Sequence, residues 1–455
     1  MPSSAHAAAP ALKRELGLRD LVLTQILFVV GLGNFGNSAK LGASHVVFWL
    51  AAIVLFYIPH ALVVIHLNRW RPLEGGLYQW ARAAFGDFTG FLVGWNLWIY
   101  AMFLMAEIGL TTVTNLAYAI GPSAAWIAES KMIAVFATGV LVMLMASVSI
   151  VGLGIGKWIY NLGGALVLLL LAALMMAHFV PHQRPTLSLA IPPLTLLNLN
   201  ILGKLAFLAL GGFEYVAVFA GECRDPQRTI AKSVMISAPI IAALFIFGTS
   251  AVLAVVDPSE VDLVSPVLQA ISIAARPLAL ASHLASAFFA LLLISRVAQS
   301  SINFAVNSRL PMVAGWHHLL PEWFTRLHAT KRTPVNSTIF VAGVTLLFGI
   351  WGIAGAGRQE AFQLLQNAAG IFYGLTYLAM FAIPILGHAT PSWPLRLAAV
   401  SGFAMTLLCV VLAVFPIITV PNPLMFTLKL SGAVLGVNAL GALIYWFQAR
   451  RGPCS

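Results

Sequence analysis

The sequence predicts an all-α integral membrane protein with about 12 transmembrane helices. Three observations predict it. Of 455 residues, 60% are hydrophobic and only 9% are charged, against about 25% charged in a soluble domain. The apolar residues form continuous runs such as Val46 to Ile65 and Leu162 to Ala177, whereas barrel strands would alternate over segments of about ten residues. Basic residues sit between the runs, one to three at a time. The net charge of +11 is therefore loop charge and does not read as a nucleic-acid surface.

Apolar windows of about 20 residues place helices near 19–41, 45–67, 91–117, 132–150, 158–180, 198–222, 233–256, 277–306, 335–354, 362–387, 394–416 and 425–448. Breakers mark the linkers, among them Arg71-Pro72, Gly121-Pro122, Pro192-Pro193, Asp257-Pro258 and Pro421 to Pro423. Met1 to Ala11 lacks the order of charged region, apolar region and cleavage site that defines a signal peptide, so the first span is expected to be retained.

Lys/Arg excess marks cytoplasmic loops. Lys13, Arg14 and Arg19 precede span one; Arg69, Arg71 and Arg82 follow span two; Lys157 follows span four; Arg224, Arg228 and Lys232 follow span six. Arg309, Arg326, Lys331 and Arg332 follow span eight, Arg396 follows span ten, and Arg450 and Arg451 close the chain. All fall on one side, which predicts a multi-pass protein of the inner or plasma membrane with both termini cytoplasmic. The opposite loops hold isolated Lys131 and Arg358 and the acidic group Asp257, Glu260 and Asp262.

Two spans carry glycines at mid-membrane: Gly31-Leu32-Gly33-Asn34-Phe35-Gly36 in span one and Gly211-Gly212-Phe213-Glu214 in span six. A helix unwound there frees backbone N–H and C=O groups that a substrate's charged ends can satisfy. The breaks lie five helices apart, as an inverted five-plus-five repeat would give. Close helix packing is the plainer use of such glycines.

Four ionisable residues fall inside the spans: Glu107, Lys204, Glu214 and Arg296. A charge at mid-bilayer costs about 2.5–3.5 kcal/mol or more, so each needs a partner, a wet cavity or a neutral form. Glu214 follows the second glycine break, where it can exchange a proton or simply tie two helices together. Glu107 is a candidate partner for Arg296, and Lys204 is expected to snorkel outward. His60, His66, His178 and His283 lack metal-ligand spacing and read as capped or interfacial. Trp95 to Phe103 reads as a packing and lipid face. Cys223, Cys409 and Cys454 are too few and too scattered for a disulfide framework. Neither a cofactor nor a metal site is expected.

Three stretches resemble the amino acid, polyamine and organocation superfamily of permeases. The first is Pro72-Leu73-Glu74-Gly75-Gly76-Leu77-Tyr78, leading to Ala84-Phe85-Gly86 and Gly90-Phe91. The second is Gly212-Phe213-Glu214 with Ala220-Gly221-Glu222, Asp225-Pro226 and Arg228. The third is Ser308-Arg309-Leu310 with Leu319-Leu320-Pro321, Phe324 and Thr333-Pro334. The resemblance implies a LeuT-like fold with alternating access to a central site. Tail 1–18 would precede a five-helix repeat (19–180), its inverted copy (198–387), two additional helices (394–448) and tail 449–455. It implies an amino-acid site formed by Gly31, Gly33, Asn34, Phe35, Gly36, Phe207, Gly211, Gly212 and Phe213. Coupling or gating would fall to Glu214, Glu107 and Arg296. Leu166 stands where some proton-coupled members carry a lysine, and Leu208 where some carry a gating tryptophan. Ser295 and Arg296 replace the hydroxyl pattern of sodium-dependent members, so the guanidinium is expected to fill the cation position.

The reading is therefore an amino-acid carrier, proton-coupled or exchanging. A polyamine carrier using Glu107 and Glu214 is the first alternative. An intramembrane enzyme would need a grouped nucleophile and base, and a sensor a soluble domain; neither is visible. Lipid and a small solute are the expected partners, nucleic acid is not, and oligomeric state stays open.

Overall fold

The computed structural model describes residues 17–71, 76–151, 156–176, 186–214, 226–276, 281–313, 316, 319–328 and 333–449. Pro72 to Gly75, Ala220 to Asp225, Lys331, Arg332, His178, His317, His318, Cys223, Cys454 and both tails lie outside the described residues, as does the side chain of Lys157.

Span one is two helices, α1 (Leu18–Val29) and α2 (Asn34–Ala39). The ladder stops because the Gly31 amide turns back to the Val29 carbonyl at 2.8 Å and the Asn34 amide to that of Gly31 at 3.0 Å. The break is thus shorter than the glycine pattern predicts, since Asn34, Phe35 and Gly36 are already helical. Span two comprises α3 (His45–Ala52), a π-helical turn at Ile53–Tyr57, and α4 (Ile58–Trp70). Next come amphipathic α5 (Leu77–Phe85) and α6 (Asp87–Ala106), which kinks at Glu107 into α7 (Ile108–Ile120). The short α8 (Ala125–Glu129), α9 (Lys131–Val151) and α10 (Gly156–Met176) follow.

Span six starts with α11 (Leu196–Lys204), widens into a π turn at Leu205–Ala209 and unwinds at Gly211. Gly212 has φ +121°, a conformation side-chain-bearing residues rarely adopt. Beyond it stand α12 (Pro226–Val255), α13 (Pro266–Ala275), α14 (Ala281–Val313), α15 (Val335–Ile353), α16 (Arg358–Ile385), α17 (Trp393–Leu412) and α18 (Pro423–Ala449). Helix α13 was expected as loop; Pro266 at its first turn is the start signal that a 20-residue window passes over.

Nine helices among the described residues are long and apolar enough to cross a membrane. Spans one and six escape that measure because their halves are short, and span five because only Ala165–Met176 of it is counted. The architecture is nonetheless a multi-span α-helical membrane fold. Aromatic stacking fills its interior: Phe103 lies on Phe348 at 3.9 Å and Tyr100 on Tyr373 at 4.2 Å. Trp95 to Phe103 is accordingly more interior than lipid-facing, with Trp95, Trp98 and Phe103 all buried.

Close approach of helices α7 and α9 depends on Gly109. A Cβ there would lie 2.1 Å from Thr138 Oγ1, 2.3 Å from its amide nitrogen and 2.5 Å from the Ala134 carbonyl. Backbone cannot yield as a side chain tip can. Gly109→Ala should cost about 1–3 kcal/mol, read as a lowered Tm in detergent; an unchanged Tm would contradict the packing.

Candidate functional site

A cavity of about 100 Å³ lies between the two broken spans. One water needs about 10–15 Å³ of such space, so there is room for a small solute. Its walls include Gly31, Gly33 and Asn34 from span one, Gly211 and Gly212 from span six, Tyr100 and Glu107 from span three, and Arg296 from α14. Gln299, Ser300, Asn303, Gln366 and Tyr373 complete the polar lining. The remaining expected residues lie elsewhere. Phe35 packs on Phe245 at 5.5 Å, Gly36 approaches Leu263, Phe207 backs Tyr373 and Tyr377, and Phe213 stacks on Tyr57 at 4.7 Å. The first two sit in the first turn of helix α2, packed away from the cavity; the others pack against the π-helical turn of span two.

Among the described residues the amides of Leu32 and Gly33 make no hydrogen bond. Those of Gly211 and Gly212 do: the first donates to the Phe207 carbonyl at 3.0 Å, the second to Tyr377 Oη at 2.9 Å. Unpaired amides inside a protein cost free energy unless a ligand or water completes them.

The buried charges inside the spans sort into three groups. Glu107, 2% exposed, faces Arg296 Nη1 at 3.5 Å and accepts from Gln366 Nε2 at 2.9 Å. The candidate partnership read from the sequence is therefore made, at the kink between α6 and α7. Glu214, 4% exposed, stands behind the cavity wall. Tyr373 Oη donates to its Oε1 and Tyr377 Oη to its Oε2, while His60 Nε2 lies 3.4 Å from Oε2. Tyr373 lines the cavity and touches Glu214 at once, so it links the solute space to the carboxylate.

Lys204 corrects an expectation. It does not snorkel: it is 2% exposed, and its ammonium donates to Asn367 Oδ1 at 2.8 Å. Helix α17 and the turn after it cover this face, shown by Asn367 Nδ2 reaching the Ala413 carbonyl at 2.7 Å. His60 is corrected likewise. It is fully buried, stacked on Phe213 at 5.3 Å, because α4 turns inward after its π bulge. His66 does cap a loop, bonding the Ala389 carbonyl at 2.9 Å.

Sequence reasoning missed Gln366, Tyr373 and Tyr377. They repeat at i, i+7 and i+11 on α16, a polar stripe at helical spacing, which was the available signal. Arg358, expected as isolated, bridges Asp262 Oδ2 at 2.5 Å and Glu129 Oε1 at 2.9 Å. Beside it a second cavity of about 570 Å³ is lined by Lys40, Ser259, Arg358 and Glu360.

The amino acid permease family matches residues 16–445. The chain belongs to that family. Among relatives of this permease, an uncharacterized transporter of Legionella pneumophila is 25% identical over 391 residues, 84% of this chain and 83% of its own. A probable agmatine/putrescine antiporter of Lactococcus lactis is 25% identical over 243 residues, 52% and 51% of the two chains. The serine/threonine exchanger SteT of Bacillus subtilis is 22% identical over 263 residues, 56% and 58%. In three dimensions the permease is similar to the crystal structure of MhsT in complex with L-phenylalanine, with TM-score 0.65 at 14% identity, covering 88% of this chain and 98% of that one. Its fold is thus that of LeuT-type transporters, and the permease is a secondary carrier of small polar or charged solutes rather than an enzyme.

Removing one partner of a buried ion pair strands the other, at about 3–5 kcal/mol when both are fully enclosed. Arg296 is 22% exposed. Arg296→Gln should therefore cost the permease about 2–3 kcal/mol, and Arg296→Gln with Glu107→Gln less than that. Melting of the purified variants checks it, and strict additivity would contradict the pairing.

Proposed function

We propose that this permease carries an amino acid by alternating access, without sodium, through a site at the two glycine breaks. The observation that carries the proposal is that Gly31, Gly33, Gly211 and Gly212 wall one small cavity. The unpaired Leu32 and Gly33 amides suit an α-carboxylate, and carbonyls of the unwound span-six segment suit an α-ammonium. Twelve spans in two inverted five-helix repeats plus two trailing helices, with both termini cytoplasmic, accompany this reading.

Charge balance favours an amino acid over a polyamine. A polyamine needs several acceptors of negative charge within reach. Glu107 is paired with Arg296, and both oxygens of Glu214 are occupied by phenols behind the wall. The cavity offers no surplus anion to a second ammonium, and an unpaired ammonium in so dry a site is costly. Glu107 Oε1, the oxygen that faces Arg296 at 3.5 Å, makes no hydrogen bond among the described residues. The half-length match to an agmatine/putrescine antiporter makes the polyamine reading the one to test against.

Sodium independence rests on α14. Gln299 Nε2 donates to the Leu27 carbonyl at 2.6 Å, so an amide nitrogen takes a span-one oxygen that a cation would need. Arg296 adds a fixed positive charge nearby. Glu214 then serves as the proton-exchanging group, reached from the cavity through Tyr373.

Thermal-shift screening of the detergent-purified permease tests the substrate. A ligand at 100-fold its Kd stabilises by about 2.7 kcal/mol; one or more L-amino acids should raise the Tm, and putrescine should not. Gly31→Leu should lose the shift yet still insert and fold, since a Cβ there meets only the Asn34 side chain at 3.0 Å. Stabilisation by putrescine alone, or uptake into liposomes driven by a sodium gradient, would overturn the reading.

A further inference from the structure

We infer that His60 is the proton partner of Glu214, sharing one proton with it so that the coupling group is an imidazole–carboxylate pair and not a lone carboxyl. The inference rests on the proposed coupling role of Glu214 and adds a residue to it.

His60 has no surface exposure, and neither ring nitrogen makes a hydrogen bond among the described residues. A buried imidazole left so is costly and calls for a reason. Its ring is held between Phe213 at 5.3 Å and Tyr377 at 4.9 Å, with Phe56 at 5.4 Å. That packing fixes Nε2 at 3.4 Å from Glu214 Oε2, somewhat long for a hydrogen bond and within reach of one by a small shift. The ionisable groups against the ring are Glu214 from span six and Tyr377 from α16. Arg296 is committed to Glu107 and Lys204 to Asn367. His60 is thus the basic group placed to neutralise Glu214 among the described residues.

The proton balance is simple. An imidazolium beside a carboxylate becomes a neutral imidazole beside a carboxylic acid when the Nε2 proton moves to Oε2. The pair is net neutral before and after, so the transfer creates no net charge in a low-dielectric interior. The phenol hydrogen bonds set the direction. Tyr373 and Tyr377 each donate to one oxygen of the carboxylate. Tyr373 lines the cavity and Tyr377 also accepts from the Gly212 amide. A solute that displaces either phenol would push the shared proton from His60 to Glu214; transport of that proton then requires its release from Glu214 to the lumen and reprotonation of the pair from the exterior.

The test uses the full-length protein in liposomes, with an equimolar tritiated mixture of proteinogenic L-amino acids and an entrapped pH dye. Wild type should show uptake accelerated by an acidic exterior, with acidification of the lumen. His60→Gln and His60→Asn should lose the acceleration and the lumenal acidification, while still exchanging preloaded for external amino acid at fixed pH. Glu214→Gln should match them. Retained acceleration with proton movement in the His60 variants, while Glu214→Gln loses both, overturns the pair and leaves Glu214 as coupler. Absence of proton movement in wild type overturns the coupling reading itself. Should one histidine variant fail to fold, the other carries the test.

Discussion

Inside a bilayer no water completes a broken backbone hydrogen bond, so every unwound residue must find its partner within the protein or in a ligand. Everything distinctive in this permease follows from placing two such interruptions opposite each other. At span six the debt is partly met from within, since Tyr377 accepts the Gly212 amide and Phe207 the Gly211 amide. At span one the Leu32 and Gly33 amides are left over. The asymmetry makes the first break the stronger candidate to hold an anion and the second a hinge controlled by the tyrosines of α16.

The buried charges are distributed in keeping with this. Each is matched by a group from a different helix: Glu107 by Arg296 and Gln366, Glu214 by Tyr373, Tyr377 and His60, and Lys204 by Asn367. Helix α16 contributes to all three. Such pairs add little net stability in a dry interior, yet removing one member is expensive. They therefore fix how α16 sits against spans one, three and six, and a shift of that helix would disturb all of them together. On the face carrying the 257–265 loop, Arg358 at the start of the same helix holds Asp262 and Glu129.

Much of this was legible in the sequence because membrane chemistry is restrictive. Apolar runs can only be spans, mid-span glycines stand out, and a buried Glu107 demands something like Arg296. The all-α multi-span class and both breaks follow from such scarcity, while Arg296 was one candidate partner for Glu107 that the structure then pairs with it. What stayed hidden needs rotation about a helix axis. Phe35 and Gly36 were grouped with the break because they adjoin it, but helix α2 begins at Asn34 and turns them away. Phe213 and Phe207 belong to the site only as the family resemblance implies it, and in the structure they pack on Tyr57 and on Tyr373 and Tyr377. Lys204 is buried because α17 folds over it, a tertiary fact with no local signal. His60 was indistinguishable from a capped histidine until Phe213 and Glu214 were seen beside it. Tyr373 and Tyr377, by contrast, carried a readable helical spacing.

The central claim is that the two interruptions together form the solute site. A structure determined with a stabilising amino acid bound tests it most directly. The account predicts ligand density between the Leu32–Gly33 amides and the Gly211–Gly212 segment, against Tyr373. Density confined to the cavity beside Lys40 and Arg358, or a first or sixth span running unbroken past these glycines, would contradict it.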